Sequence, residues 1–110
     1  MINGICIPAT ITDPARLVEI ADSESLGTLV GGWLEALMID GTTTCYLNEE
    51  GKLKGLPVNV RATAMLAHRL APSDMIVGDV VLLGFDPETG DDLSLPNATE
   101  KITFINGEEN

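Results

Sequence analysis

The chain is poor in basic residues and has no long apolar run. Six Lys or Arg side chains stand against 17 Asp or Glu, which gives 110 residues a formal net charge of −11. Because nucleic-acid phosphates are bound by clustered Lys and Arg, this balance argues against direct nucleic-acid binding. No apolar run approaches the length of a membrane span, and no basic-then-apolar leader opens the chain. The sequence therefore predicts a cytoplasmic protein that has no membrane segment.

Residue types that carry catalysis or bind metals are also scarce. The chain has one histidine and two cysteines, Cys6 and Cys45, too few to fill a four-ligand zinc site. Both cysteines lie in apolar stretches, so we expect buried free thiols. No nucleophile-elbow or P-loop pattern is present, and the acidic turn over residues 86–92 lacks the order of an EF-hand loop. We expect a protein that is not an enzyme and that has no metal and no cofactor. Acid–base chemistry by Glu35 with Arg61 or His68 is a weaker alternative.

The order of apolar runs and turn residues predicts one α+β domain over residues 1–106 and a frayed tail over residues 107–110. We expect a mostly antiparallel sheet of about five strands with two helices. Asp40-Gly41 between two apolar runs is a strong hairpin signal, and Asn59 is a suitable N-cap. The expected strands cover residues 2–11, 33–39, 42–47, 75–85 and 101–105, and the expected helices run from Pro14 to near residues 23–25 and over residues 60–70.

Four of the six basic side chains fall within residues 51–73, a segment without Asp or Glu, which we call the cationic segment. If the segment is locally extended, Lys52 and Lys54 lie on one side of it, close to glycines. Arg61 begins the following helix, whose first N–H groups favour anions, and His68 returns to the same helical face. Lys52, Lys54, Asn59, Arg61 and His68 therefore form a candidate anion site. The competing interpretation is that these bases form ordinary ion pairs with acids of the acidic body.

Three segments of the chain resemble a known family. They are VGGWLE over residues 30–35, NEEGKLKGLP over residues 48–57 with Asn59, and VGDV over residues 77–80. Their order and spacing are similar to the family called domain of unknown function 3846, which occurs in bacteriophages, plasmids and bacterial mobile elements. The resemblance covers roughly residues 28–84. It supplies no activity, but it implies a small accessory protein of phage type that acts in an infected bacterium.

Two functions follow as expectations. In the first, the acidic body docks on a basic surface of a host protein or defence complex and inhibits it, with Trp33, Glu35, Glu49 and Glu50 as contact residues. In the second, the chain sequesters a nucleotide or another anionic small molecule through the region of Lys52, Lys54 and Arg61. Self-association through a free sheet edge or through apolar residues around Trp33 is compatible with both.

Overall fold

A computed structural model describes residues 1–107 of the chain. Over these residues the chain forms six β-strands, three α-helices and one 3₁₀ turn. None of the helices in this described part is long and apolar enough to cross a membrane. In chain order, the elements are β1 (Ile2–Ile7), β2 (Arg16–Ile20), α1 (Ser23–Val30), β3 (Leu34–Asp40), β4 (Thr43–Asn48), α2 (Val60–Leu66), the 3₁₀ turn (Ala67–Arg69), β5 (Val80–Phe85), β6 (Asp92–Leu93) and α3 (Ala98–Ile105).

All strand pairs in the sheet are antiparallel, which confirms the expected α+β class. The strand order is β2-β1-β5-β4-β3, and the short β6 pairs with the end of β5. β5 is the central strand, and its first five residues are buried. β2 and β3 form the two edges of the sheet.

Each face of the sheet has its own apolar core, because successive side chains of a strand point to opposite faces. On the face covered by α2 and α3, Val80 and Leu82 of β5 belong to the larger core. On the opposite face, Val81 and Leu83 pack with Leu26 of α1 in a smaller core. The molecule is therefore one domain with three layers, and the sheet lies in the middle.

Two of the local predictions are confirmed. The β3–β4 hairpin forms at the predicted place, but Asp40 is the last residue of β3 and pairs with Thr43, so the turn residues are Gly41 and Thr42. Neither has a positive φ, and Asp40 Oδ1 accepts from the Thr42 N–H at 2.8 Å. Helix α2 begins after Asn59, whose side-chain oxygen accepts from the Ala62 N–H at 3.0 Å. The helix and the 3₁₀ turn end before Pro72, as the cyclic side chain of proline requires.

The predicted helix after Pro14 is wrong, because residues 16–20 form the edge strand β2 and pair with β1. The helix begins later, at Ser23, and Asp22 is its N-cap. The Asp22 carboxylate accepts from the Ser25 N–H at 2.8 Å, and Ser25 Oγ accepts from the Asp22 N–H at 3.2 Å. This reciprocal capping box defines the true start of α1.

The predicted last strand over residues 101–105 is also wrong, because these residues end α3. Ile102 and Ile105 are three residues apart, so both face the larger core from one side of the helix. The β-branched composition suggested a strand, but tertiary packing selects the helical period.

Two predicted strands are shorter than expected. β1 ends at Ile7, and β5 begins at Val80 rather than at residue 75. Val77 makes only an isolated bridge with Val58, and Gly78 then adopts a left-handed conformation with φ 79°. At the C-terminal end, Gly107 has φ 68°, and its N–H donates to the Phe104 carbonyl at 3.1 Å, so it closes α3. The rest of the predicted frayed tail, residues 108–110, lies outside the described residues.

Candidate functional site

Two of the three family-like segments meet at one end of the β3–β4 hairpin. The Glu49 N–H donates to the Trp33 carbonyl at 2.8 Å, which joins the segment before β3 to the loop after β4. We call this region, residues 31–35 and 48–56, the hairpin end. It contains two members of the predicted anion site, Lys52 and Lys54, and all four predicted contact residues.

Asn59 is a structural residue, which corrects its assignment to an anion site. It is fully buried. Its Nδ2 donates to the Ile7 and Gly78 carbonyls, both at 2.9 Å, while its Oδ1 caps α2 through Ala62. The side chain thus ties β1, the turn before β5 and the start of α2 together, and none of its polar atoms is left for a ligand.

The two lysines of the site each have an acidic partner. Lys52 Nζ forms an ion pair with Asp74, and the hydrogen bond from Lys52 holds the pKa of Asp74 below its usual value. Lys54 Nζ lies 3.8 Å from Glu50 Oε1, one helical turn earlier in sequence. All four side chains are more than one-third exposed, so these pairs contribute little to stability.

Arg61 and His68 bond to backbone carbonyls. Arg61 Nη2 donates to Pro8 at 2.6 Å and to Thr10 at 3.1 Å, which fastens the loop after β1 to α2. His68 Nε2 lies 2.8 Å from the Ile39 carbonyl. Because a carbonyl oxygen can only accept, Nε2 carries the proton in this contact.

These positions do not form the predicted cationic patch. Lys52 lines a cavity of ≈ 230 Å³ that includes none of Lys54, Asn59 and Arg61. The charged residues around this cavity are of both signs, and acids are in the majority. They are Glu35, Glu49, Lys52, Arg69 and Asp74. Asp74 is the first acid after the cationic segment, yet only the tertiary structure brings it to Lys52, 22 residues away.

Trp33 is the most conspicuous side chain of the hairpin end. It is 73% exposed and belongs to neither apolar core. It borders a shallow depression lined by three glycines, Gly27, Gly31 and Gly32. Gly31 has φ 85° and ends α1, while a Cβ on Gly32 would lie 3.0 Å from Asn48 Nδ2. The backbone of Gly31 therefore favours glycine, and a side chain at position 32 would crowd the Asn48 and Lys54 side chains.

Three glutamates belong to the same part of the molecule as Trp33, and one of them, Glu24, lines the same depression. Glu24 lines the depression, Glu35 is exposed on β3, and Glu49 is bonded through its backbone to Trp33. Leu53 of the following loop is 88% exposed. Sequence reasoning singled out Trp33 and the glutamates but did not identify Glu24 or Leu53, which reach this end of the molecule only through folding.

The thiols are poor candidates for nucleophiles. Cys6 and Cys45 are buried and free, as expected. Burial raises the pKa of Cys45 to about 12 and also raises the pKa of Cys6. The reactive thiolate is therefore disfavoured at both positions. Within residues 1–107, no three His, Cys, Asp or Glu side chains are grouped as the ligands of a metal ion would be.

Comparison with known proteins identifies a family and nothing more specific. No curated protein matches the chain, and no solved structure does. A family described as Domain of unknown function (DUF3846) matches residues 4–105, which extends well beyond the segments that carried the resemblance. The match runs from β1 to the end of α3 and covers nearly the whole chain, so this protein belongs to the DUF3846 family.

Proposed function

We propose that this protein is a phage-type accessory protein that binds a host protein in the host cytoplasm and inhibits or modulates it. The hairpin end is the contact surface in this proposal. The observation that carries it is Trp33, a 73% exposed indole in a depression that Glu24 also lines, on a chain of net charge −11.

Protein interfaces concentrate their binding energy in a few large side chains, and tryptophan is among the most enriched of these. Such a residue contributes most when a pocket of the partner removes it from water and a polar rim surrounds it. Trp33 provides the apolar centre, and Glu24, Glu35 and Glu49 provide the rim. Because Trp33 packs in neither core, the stability of the fold does not account for its side chain.

The charge of the rim defines the chemistry of the partner. A surface bearing Arg or Lys around an apolar pocket would be attracted by the carboxylates, and a guanidinium could stack on the indole ring. The overall charge would also accelerate encounter with such a surface, an effect that salt weakens. The function as an anion binder has less support, since Lys52 and Lys54 are paired with acids and Asn59 is buried.

The test is affinity purification of the tagged protein from bacterial lysate at low salt, followed by binding measurements with the purified partner. Trp33→Ala is the test variant, and Phe104→Ala is the matched control because Phe104 is also an aromatic residue exposed to 73%. We expect Trp33→Ala to weaken binding by about 30-fold, as for a hot spot worth about 2 kcal/mol. Phe104→Ala should leave the affinity unchanged.

Two results would refute the proposal. The first is equal loss of affinity in both variants, which would show that the hairpin end is not the specific contact. The second is an affinity that does not respond to salt or to the double variant Glu35→Gln with Glu49→Gln, because the acidic rim would then have no part in recognition.

A further inference from the structure

A second opening lies on the opposite side of the molecule from the depression beside Trp33 and shares no residue with it. It is a cavity of ≈ 410 Å³ on the sheet face that α2 and α3 cover. Leu82 of β5 and Thr43 of β4 line its floor, Met65 of α2 lies on one side, and Phe104 and Ile105 of α3 lie on the other. Its size falls within the range typical of small-molecule sites, roughly 300–1,000 Å³.

The cavity exists because α2 and α3 cover different parts of this face. Helix α3 packs mainly on β1 and β2, at one side of the sheet, and it has no fully buried residue. Ile102 and Ile105 pack against the core, whereas Phe104 stays 73% exposed at the cavity. Removing this ring from water is favourable, so an apolar occupant that covered it would gain affinity.

The ionisable groups of the cavity are two acids, Asp40 and Glu100, and one base, Lys101. Lys101 Nζ donates to the Pro96 carbonyl at 2.6 Å. Asp40 is ionised at neutral pH, since the N–H of Thr42 donates to its carboxylate and holds its pKa below the usual value. Within the described residues, Glu100 has no ion-pair partner. The wall is thus mostly apolar, and its two carboxylates and one ammonium give it a net charge of −1.

We propose that this cavity binds a small amphiphile that has an apolar, preferably aromatic, body and one cationic amino group. The body occupies the space between Leu82, Met65 and Phe104, and the ammonium faces Asp40 and Glu100. Apolar contact supplies most of the affinity, and the two carboxylates select the sign of the charge. This inference is independent of the proposed protein-binding function.

Three naphthalene probes of similar shape test the site: 2-naphthylmethylamine, 2-naphthylmethanol and 2-naphthoate. Binding is followed by titration with ¹³C-methyl NMR, which locates the contact at Leu82, Leu95 and Ile105. We expect the amine to bind about fivefold more tightly than the alcohol, as for a partly exposed ion pair, and the carboxylate to bind most weakly.

The variants separate this site from general attraction of a cation to an acidic protein. Glu100→Gln should make the amine and the alcohol bind about equally, because the charges of Asp40 and Lys101 then cancel at the cavity. Glu88→Gln, in the exposed turn between β5 and β6, should leave their ratio unchanged. Phe104→Ala should weaken both probes about tenfold, because it removes the aromatic ring that contacts their apolar body. The variant should still fold, because the Phe104 side chain is exposed. Trp33→Ala should change neither.

The proposal is overturned if the methyl groups of Leu82, Leu95 and Ile105 do not shift with the amine while the protein is folded. It is also overturned if Glu100→Gln and Glu88→Gln reduce amine binding equally, because the amine would then be responding to overall charge. The methyl spectrum of each variant without probe is compared with that of the wild type, so that loss of folding is distinguished from loss of binding.

Discussion

Asn59 and Trp33 belong to the same family-like part of the chain, but their surroundings are opposite. Asn59 is fully buried, and its side chain makes three hydrogen bonds to the backbone of three different segments. Trp33 is 73% exposed, and its side chain packs in neither core. The polar residue therefore maintains the fold, while the large apolar residue is available to a partner.

This comparison reverses the usual expectation about the two residue types. A buried amide is tolerated because each of its polar atoms is hydrogen-bonded. Removing the amide leaves its former partners buried without a hydrogen bond, and each of them then destabilises the folded protein. An exposed indole does not stabilise the folded chain, so its removal should be felt only when a partner is present. Stability and binding measurements on the same variants can therefore test the comparison directly.

The largest effect is expected for Asn59→Ala. The change leaves the Ile7 and Gly78 carbonyls and the Ala62 N–H without this partner, and each buried unpaired group costs about 1–3 kcal/mol. We expect the free energy of unfolding in urea to fall by about 3 kcal/mol or more at an unchanged m-value. Asn3→Ala, at an exposed position, is the control and should change it by less than about 0.5 kcal/mol. Equal losses in the two variants would show that Asn59 does not tie the three segments together.

An intermediate effect on the free energy of unfolding is expected at alkaline pH. It tests the burial of the Cys45 thiol in the larger core. Burial raises the pKa of Cys45 to about 12 from an ordinary value of 9.0. Above pH 9 the unfolded thiol loses its proton and the folded thiol keeps it, so stability falls as pH rises, by at most about 1.4 kcal/mol per pH unit. Cys45→Ala should flatten this slope, measured by urea unfolding at several pH values. Some slope should remain, because burial also raises the pKa of Cys6 and of Tyr46.

An unchanged slope in Cys45→Ala would mean that the thiol ionises as readily in the folded protein as in the unfolded chain. Cys45 of β4 would then not be buried in the larger core. The protein at pH 7 serves as the reference, because there the thiol is protonated in both states and the variant reports only the loss of packing.

The smallest effect on stability is expected for Trp33→Ala. Because the indole is exposed and belongs to no core, the free energy of unfolding should change by less than about 0.5 kcal/mol. The same variant should bind the proposed protein partner more weakly, as described above. A loss of more than about 1 kcal/mol in urea unfolding would place Trp33 with Asn59 among the structural residues, and the contrast between them would disappear.

Predictions from sequence succeeded where a few neighbouring residues determine the conformation. The hairpin turn is held by Asp40, whose carboxylate accepts from an N–H two residues away, and Asn59 caps α2 through an N–H three residues away. They failed over residues 16–20 and 101–105, where short apolar runs fit a strand and a helix equally well. In these segments the neighbouring strand or the core decides, and neither is visible in the local pattern.

The candidate site divides in the same way. Trp33, Glu35 and Glu49 could be proposed from their residue types, but their exposure could not. The prediction of a cationic site relied on distance along the chain, whereas charge neutralisation depends on distance in space. Asp74 was therefore missed as the ion-pair partner of Lys52.

By itself, the sequence determined the excess of acid, the hairpin turn, the cap of α2 and the membership of a family. The first three depend on composition or on residues within a few positions of each other, and family membership depends on a pattern along most of the chain. Only the tertiary structure decided that Lys52 meets Asp74, that Asn59 is buried and that Trp33 is exposed. The physical reason is that burial and ion pairing arise between segments that the sheet brings together, and the free energy of these contacts is set by the whole fold.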